Sequence, residues 1–221
     1  MEQTPAHDNY NPDILKIMRA DFTRVVEVGV STGALAKAYR SINPHCHYTG
    51  IEIDPEYAKK ASNYCSNMVL GNIEQLTDEV FTTLFPSDCW IFGDVLEHLY
   101  DPWQVLQKIR SRIHPTTEII ACLPNAQHWS MQATLCSGLL RYQESGLLDK
   151  THIRWFTRTT IIELFDNAGY KIIEGIPRIF NKPSQTIIDS IRAMALAIGT
   201  DPQLAEEDAL PLQWVIKAVP K

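Results

Sequence analysis

Four stretches of this sequence have residue types and spacings that could do chemistry. The first is Val25 to Leu35, an apolar run that gives way to Gly29 and Gly33 and then to small helix-forming residues. It predicts a buried strand turning directly into a helix, where glycine lets the backbone approach a ligand and the helix start offers unpaired N–H groups. Glu27 lies inside that strand, where a carboxylate needs a partner such as a cationic ligand group. The second is Glu52, about twenty residues beyond the glycine turn, the spacing at which a βαβ unit brings a carboxylate to the ribose of an adenosine. Asp54, directly before Pro55, fits a helix cap instead.

The third stretch is Asp94-Val95-Leu96-Glu97-His98. Asp94 and Glu97 have the spacing of a capping box, and with His98 they also form a set that could ligate a divalent metal. The cap is the preferred reading and no metal ligand is assigned. The fourth is 139–157, dense in aromatic, charged and histidine side chains, which suits a lid or substrate wall better than a plain connector. His152 there, flanked by Asp149 and Arg154, is the first candidate for a general base, and His128, just past a strand end, is the second.

The elements that must position these residues follow from periodicity and punctuation. Strands are predicted at the first stretch, at 47–53, 68–70, 89–92, 118–123 and 170–176, and finally at 212–219. Helices are predicted from Pro12, over 34–40, from Pro55, from Pro102, from a cap at Thr160 with Glu163, and over 184–198, followed by a loop rich in Asp, Glu and Pro. Residues 1–9 read as a polar, mobile lead-in, and the helix after them could cover the ligand.

Of the 221 residues 45% are hydrophobic, enough for a sizeable core, and no repeat or low-complexity segment is present. The net charge of −6 disfavours a nucleic-acid partner, which would call for clustered Lys and Arg. Five cysteines without a Cys-x-x-Cys pair predict reduced core residues rather than disulfides or zinc. No run has the length of a signal peptide core or a membrane span, which predicts a cytoplasmic protein.

The run Glu27-Val28-Gly29-Val30-Ser31-Thr32-Gly33 resembles motif I of class I S-adenosylmethionine-dependent methyltransferases, with Ser31 where a glycine is common. An NAD fingerprint fails at Ser31 and is met only by Ala34. The 94–98 region resembles that of ubiquinone-biosynthesis O-methyltransferases, and 146–157 resembles the Gly-Leu-Leu-Asp-x-Thr-His-x-Arg-x-Phe-Thr signature of the group like them. The resemblance covers roughly 10–175. It implies an α/β, Rossmann-like doubly wound sheet of seven strands in the order 3-2-1-4-5-7-6 with strand 7 antiparallel. It also implies a lead-in and cover helix at 1–22, one methyltransferase domain at 23–221, and a lid at about 126–157.

The cofactor implied is S-adenosylmethionine, bound by Glu27, Gly29, Ser31 and Gly33 at motif I, by Glu52 and Ile53 at the ribose, by Asn72 and Ile73 at the adenine, and by Asp94 and Val95. In the resembled family the motif I acid lies near the methionine amino group. A divalent metal stays secondary. The activity expected is O-methylation of a small polar metabolite such as a sugar, a sugar nucleotide or a glycoconjugate precursor, with His152 or His128 as base. N-methylation of an amino sugar or small amine is the first alternative. A non-catalytic protein binding an adenosine ligand, suggested by Ser31, is the second. The acceptor and the oligomeric state are not encoded in any motif.

Overall fold

The computed structural model describes residues 8–221. Seven strands form one sheet: β1 (Arg24–Val28), β2 (His47–Glu52), β3 (Asn67–Leu70), β4 (Cys89–Gly93), β5 (Glu118–Pro124), β6 (Tyr170–Arg178) and β7 (Gln213–Pro220). The order is β3-β2-β1-β4-β5-β7-β6. β1 to β5 pair in parallel, and β7 runs antiparallel to both β5 and β6. This is the Rossmann-like α/β arrangement that the resemblance implies, and β1 and β4 flank its topological switch point.

Nine α-helices are described: α1 (Pro12–Ile17), α2 (Ala34–Ile42), α3 (Pro55–Ala61), α4 (Asp78–Thr82), α5 (Pro102–Arg110), α6 (Trp129–Cys136), α7 (Arg158–Asn167), α8 (Gln185–Ala197) and α9 (Pro202–Ala209). Caps explain several starts. Asn11, Asp54 and Asp101 accept backbone N–H bonds one residue before Pro12, Pro55 and Pro102. The polar lead-in read at 1–9 lies mostly outside the described residues.

Three local expectations are corrected. The acidic, proline-bearing stretch after α8 is helix α9 rather than loop, because Asp201 takes the N–H groups of Gln203 and Leu204 ahead of Pro202. The cap of α7 is Thr157, with Thr160 as its reciprocal partner, so the start lies three residues before the Thr160–Glu163 pair. No capping box forms at Asp94: residues Leu96–His98 make a single 3-10 turn without a side-chain cap, and Asp94 sits at φ +55.

Alternation along the strands sends apolar side chains to two cores. Val26, Val28, Ala121 and Leu123 face one, and Val25, Tyr48, Ile91 and Cys122 face the other. Four cysteines are buried and Cys136 is exposed, all unpaired. Glu27 enters the second core, where its Oε2 accepts the Tyr48 hydroxyl at 2.8 Å. Burial pushes its pKa up to about 8, with the Tyr48 bond pulling the other way and Glu52 adding repulsion.

The pH dependence follows. The unfolded carboxyl ionises near its ordinary value, whereas the folded one keeps its proton, so Glu27 lowers stability progressively as pH rises from about 4.5 to about 8. Glu27→Gln is expected to keep the Tyr48 bond and flatten that slope. Urea unfolding midpoints at pH 5.5 and pH 8 should then lie closer together than in the wild type; an unchanged difference would show that Glu27 is not buried as a neutral acid.

Candidate active site

The carboxyl ends of β1, β2, β4 and β5 border a cleft of about 630 Å³, in the range of small-molecule and cofactor sites. One half is built on motif I. Gly29 has φ +70, and a Cβ there would lie 2.6 Å from Val95 Cγ2, so only glycine fits. Ser31 also has a positive φ, +49. Its N–H donates to Glu52 Oε2 at 2.8 Å, while the N–H groups of Ile53 and Asp54 donate to Oε1 at 2.8 and 3.0 Å. Glu52 thereby ties the glycine turn to the end of β2 and still faces the cleft.

Most residues expected at the cofactor line this cleft: Gly29, Ser31, Glu52, Ile53, Asn72 and Ile73, and beyond them Asp94 and Val95. Two do not. Gly33, at φ +85, starts α2 and lies 3.0 Å, measured from an added Cβ, from Ala61 of α3, so its lack of a side chain serves helix packing. Glu27 points away toward Tyr48, on the strand face opposite the cleft-lining Val28. Asn72 lines the cleft as a turn residue, its Oδ1 accepting the N–H of Glu74 at 3.0 Å. Asp94 accepts the Gln213 side-chain amide and, at 3.4 Å, the Cys122 thiol.

The other half gathers Glu97, His98, Asp149, Thr151 and His152, with Pro124, Phe180 and Gln213 along the far wall. The Glu97 carbonyl accepts the N–H groups of Ile153 and Arg154 at 3.0 Å each, which brings the 146–157 signature over the end of β4. His152 Nε2 lies 3.9 Å from Glu97 Oε1, and the rings of His98 and His152 meet edge-on with centroids 4.8 Å apart. Burial holds both histidines below their ordinary pKa, and each other's proximity depresses His152 further. Burial, then Asp94, raises Glu97 well above the carboxylate range.

His128, the second base candidate, lies outside the cleft lining. Its Nδ1 accepts the Ser130 N–H at 3.3 Å as the N-cap of α6, and burial lowers its pKa to about 4. Among the described residues one group could hold a metal, Glu97, His98 and His152, with one donor atom of each within 4.8 Å of the others. It takes His152 in place of Asp94. Phe180 and Gln213 escaped the sequence reading, because only the insertion of β7 between β5 and β6 brings them to the cleft.

A mixed seven-stranded sheet with this switch point, a glycine turn backed by a carboxylate, and a cleft beside both define a class I S-adenosylmethionine-dependent methyltransferase. The chain belongs to the methyltransferase-domain family whose profile matches residues 7–174. Solved structures agree in fold. A methyltransferase from Archaeoglobus fulgidus is 15% identical, with TM-score 0.59 over 89% of this chain and 85% of that one. Magnesium protoporphyrin IX methyltransferase from Synechocystis, solved with S-adenosylhomocysteine bound, is 11% identical, with TM-score 0.59 over 95% and 80%. The plantazolicin methyltransferase, also with S-adenosylhomocysteine, is 15% identical, with TM-score 0.58 over 90% and 76%. No curated protein matches the sequence. S-adenosylmethionine is the cofactor, and the cleared backbone at Gly29 with Glu52 beside it fits that ligand. Among the described residues no helix is long and apolar enough to cross a membrane.

Glu52→Ala removes the acceptor for three N–H groups and a carboxylate at the expected ribose end. Losing charge-assisted bonds of this kind costs about 1.5–3 kcal/mol, so S-adenosylhomocysteine affinity is expected to fall about 10- to 100-fold in calorimetric titration. Glu52→Gln should recover part of it, and unchanged affinity in Glu52→Ala would remove Glu52 from the cofactor site.

Proposed function

We propose that the protein methylates a small, unphosphorylated polar acceptor at a protic group held between His152 and Glu97, with the 126–157 segment as the lid and acceptor wall. The observation that carries this reading is the buried His152–Glu97 pair facing the cleft. His152 Nδ1 lies 3.2 Å from the Leu147 carbonyl, which can only accept, so the ring proton sits on Nδ1 and Nε2 is bare. A bare, neutral imidazole nitrogen is a base, and its depressed pKa keeps it unprotonated at neutral pH.

Bound S-adenosylmethionine supplies an electrophilic methyl group on a sulfonium. The chain aligns the acceptor and receives its proton on His152 Nε2, next to the Glu97 side chain. Glu97, His98 and His152 would also be the residues to hold a divalent ion, which would supply Lewis acidity at an acceptor oxygen.

The expectation of a small polar metabolite is kept, but the sugar-nucleotide form of it is set aside. Among the described residues the cleft is lined by Glu52, Glu74, Asp94, Glu97, Glu144 and Asp149, and by no Lys or Arg. A diphosphate there would lack a cationic partner and face like charge.

His152→Ala should leave S-adenosylhomocysteine affinity within about twofold while slowing methyl transfer about 100-fold or more, the usual contribution of a positioned base. S-adenosylhomocysteine production with a panel of unphosphorylated polar acceptors, compared between wild type and variant, tests this. Equal turnover would remove His152 from the chemistry, and cofactor binding without turnover on any acceptor would favour the non-catalytic reading.

A further inference from the structure

Five of the six cleft carboxylates already have partners. Glu52 takes three backbone N–H groups, and Glu74 takes those of Tyr100 and Asp101 at 3.2 and 2.7 Å. Asp94 takes the Gln213 amide, Asp149 takes the N–H and hydroxyl of Thr151 at 2.8 and 2.6 Å, and Glu144 pairs with Lys150 at 3.0 Å. Glu97 differs. Its side chain is 1% exposed, and neither oxygen has a hydrogen-bond partner. The facing group, His152 Nε2, is itself a bare lone pair 3.9 Å away. Two carboxyl oxygens and a ring nitrogen thus face one another without a hydrogen bond, and the burial and nearby Asp94 that hold the proton on Glu97 are offset when a donor-rich cation docks beside it.

We infer that the acceptor is a primary amine, and that its ammonium group docks between the Glu97 carboxylate and His152 Nε2. This rests on the proposed function and names the substrate class of the same site. An ammonium offers three N–H donors, no acceptor and a positive charge, which is the complement of the three atoms; a hydroxyl offers one donor and no charge. Spacing separates it from a metal. Metal–ligand bonds of about 2.0–2.2 Å put ligand atoms at most about 4.4 Å apart, whereas the donor atoms of Glu97, His98 and His152 lie within 4.8 Å of one another, wider than that limit. Two hydrogen bonds of about 2.8 Å from one tetrahedral nitrogen span up to about 4.6 Å, so Glu97 and His152 can both bond an ammonium where they stand.

The same arrangement balances an N-methyl transfer. His152 Nε2 takes one proton from the ammonium, and the freed nitrogen lone pair forms the N–C bond as the C–S bond breaks. Sulfur keeps the bonding pair as a thioether, and the product leaves as a methylated ammonium. The imidazolium formed beside Glu97 returns its proton to solvent when the cleft opens.

Methylammonium, methanol and acetate are small enough to test the subsite without knowledge of the full acceptor. The Cε1–H resonances of His98 and His152 are followed by NMR in the protein loaded with S-adenosylhomocysteine, with potassium chloride as the control. Methylammonium is expected to shift His152 saturably in the millimolar range, methanol and acetate to leave it as potassium does, and Glu97→Gln to weaken the response about tenfold. The wild-type comparison stands even if that variant fails to fold. A methylammonium response no larger than potassium's, or a larger one with acetate or methanol, overturns the assignment. So does magnesium shifting the same resonances and excluding methylammonium, which would mark a metal site. The reading of the cleft as an acceptor site is judged separately, by His152→Ala turnover.

Discussion

The Glu52 carboxylate is the constraint on which the cleft depends. It collects N–H groups from the turn after β1 and from the end of β2, two segments whose part-buried donors it pairs. Ser31 illustrates the balance. A non-glycine residue in the left-handed region costs about 1–2 kcal/mol, and here its own N–H gains a charge-assisted bond that offsets the strain. The departure from the usual glycine is therefore compatible with a working cofactor turn, because the backbone shape is enforced from β2.

A second tie holds the other half of the cleft. Glu97 uses its main chain to anchor Ile153 and Arg154, while its side chain lies 3.9 Å from His152 Nε2. One residue in the turn after β4 thereby fixes both the segment that brings the histidine and the carboxyl group that meets it. Any change that moves this backbone changes distance and chemistry together.

The fold was legible because its strands are apolar runs cut by Gly, Pro and Asn, and because motif I and the 146–157 signature carry a resemblance that supplies their order. Local readings and the observed contacts part where tertiary contacts outweigh short-range pattern. Asp94 has the spacing of a cap, but at φ +55 its side chain meets Gln213, which is 119 residues away. Glu27 looked like a ligand for a cationic group, and its bond to Tyr48 depends on the β1–β2 register, which periodicity does not encode. His128 stands next to a strand end as a catalytic residue would, and its Nδ1 is spent on a helix start. The His152–Glu97 meeting could not be foreseen either: the two residues lie on separate elements, joined by the Glu97 carbonyl and by the contacts of Thr151 with His98 and of Arg154 with the Tyr100 carbonyl.

The placement of β7 has a consequence for how the enzyme comes into being. Among the described residues every other strand precedes it in the chain, yet it lies between β5 and β6 and is the only sheet neighbour of β6. All pairings among β1 to β5 use strands that precede β7, whereas β6 has no sheet partner until residues near 213 are present. Gln213, which meets Asp94, arrives on that same strand. The pairing of β6 and the Asp94–Gln213 contact at the cleft are therefore both completed by the last strand to be synthesised.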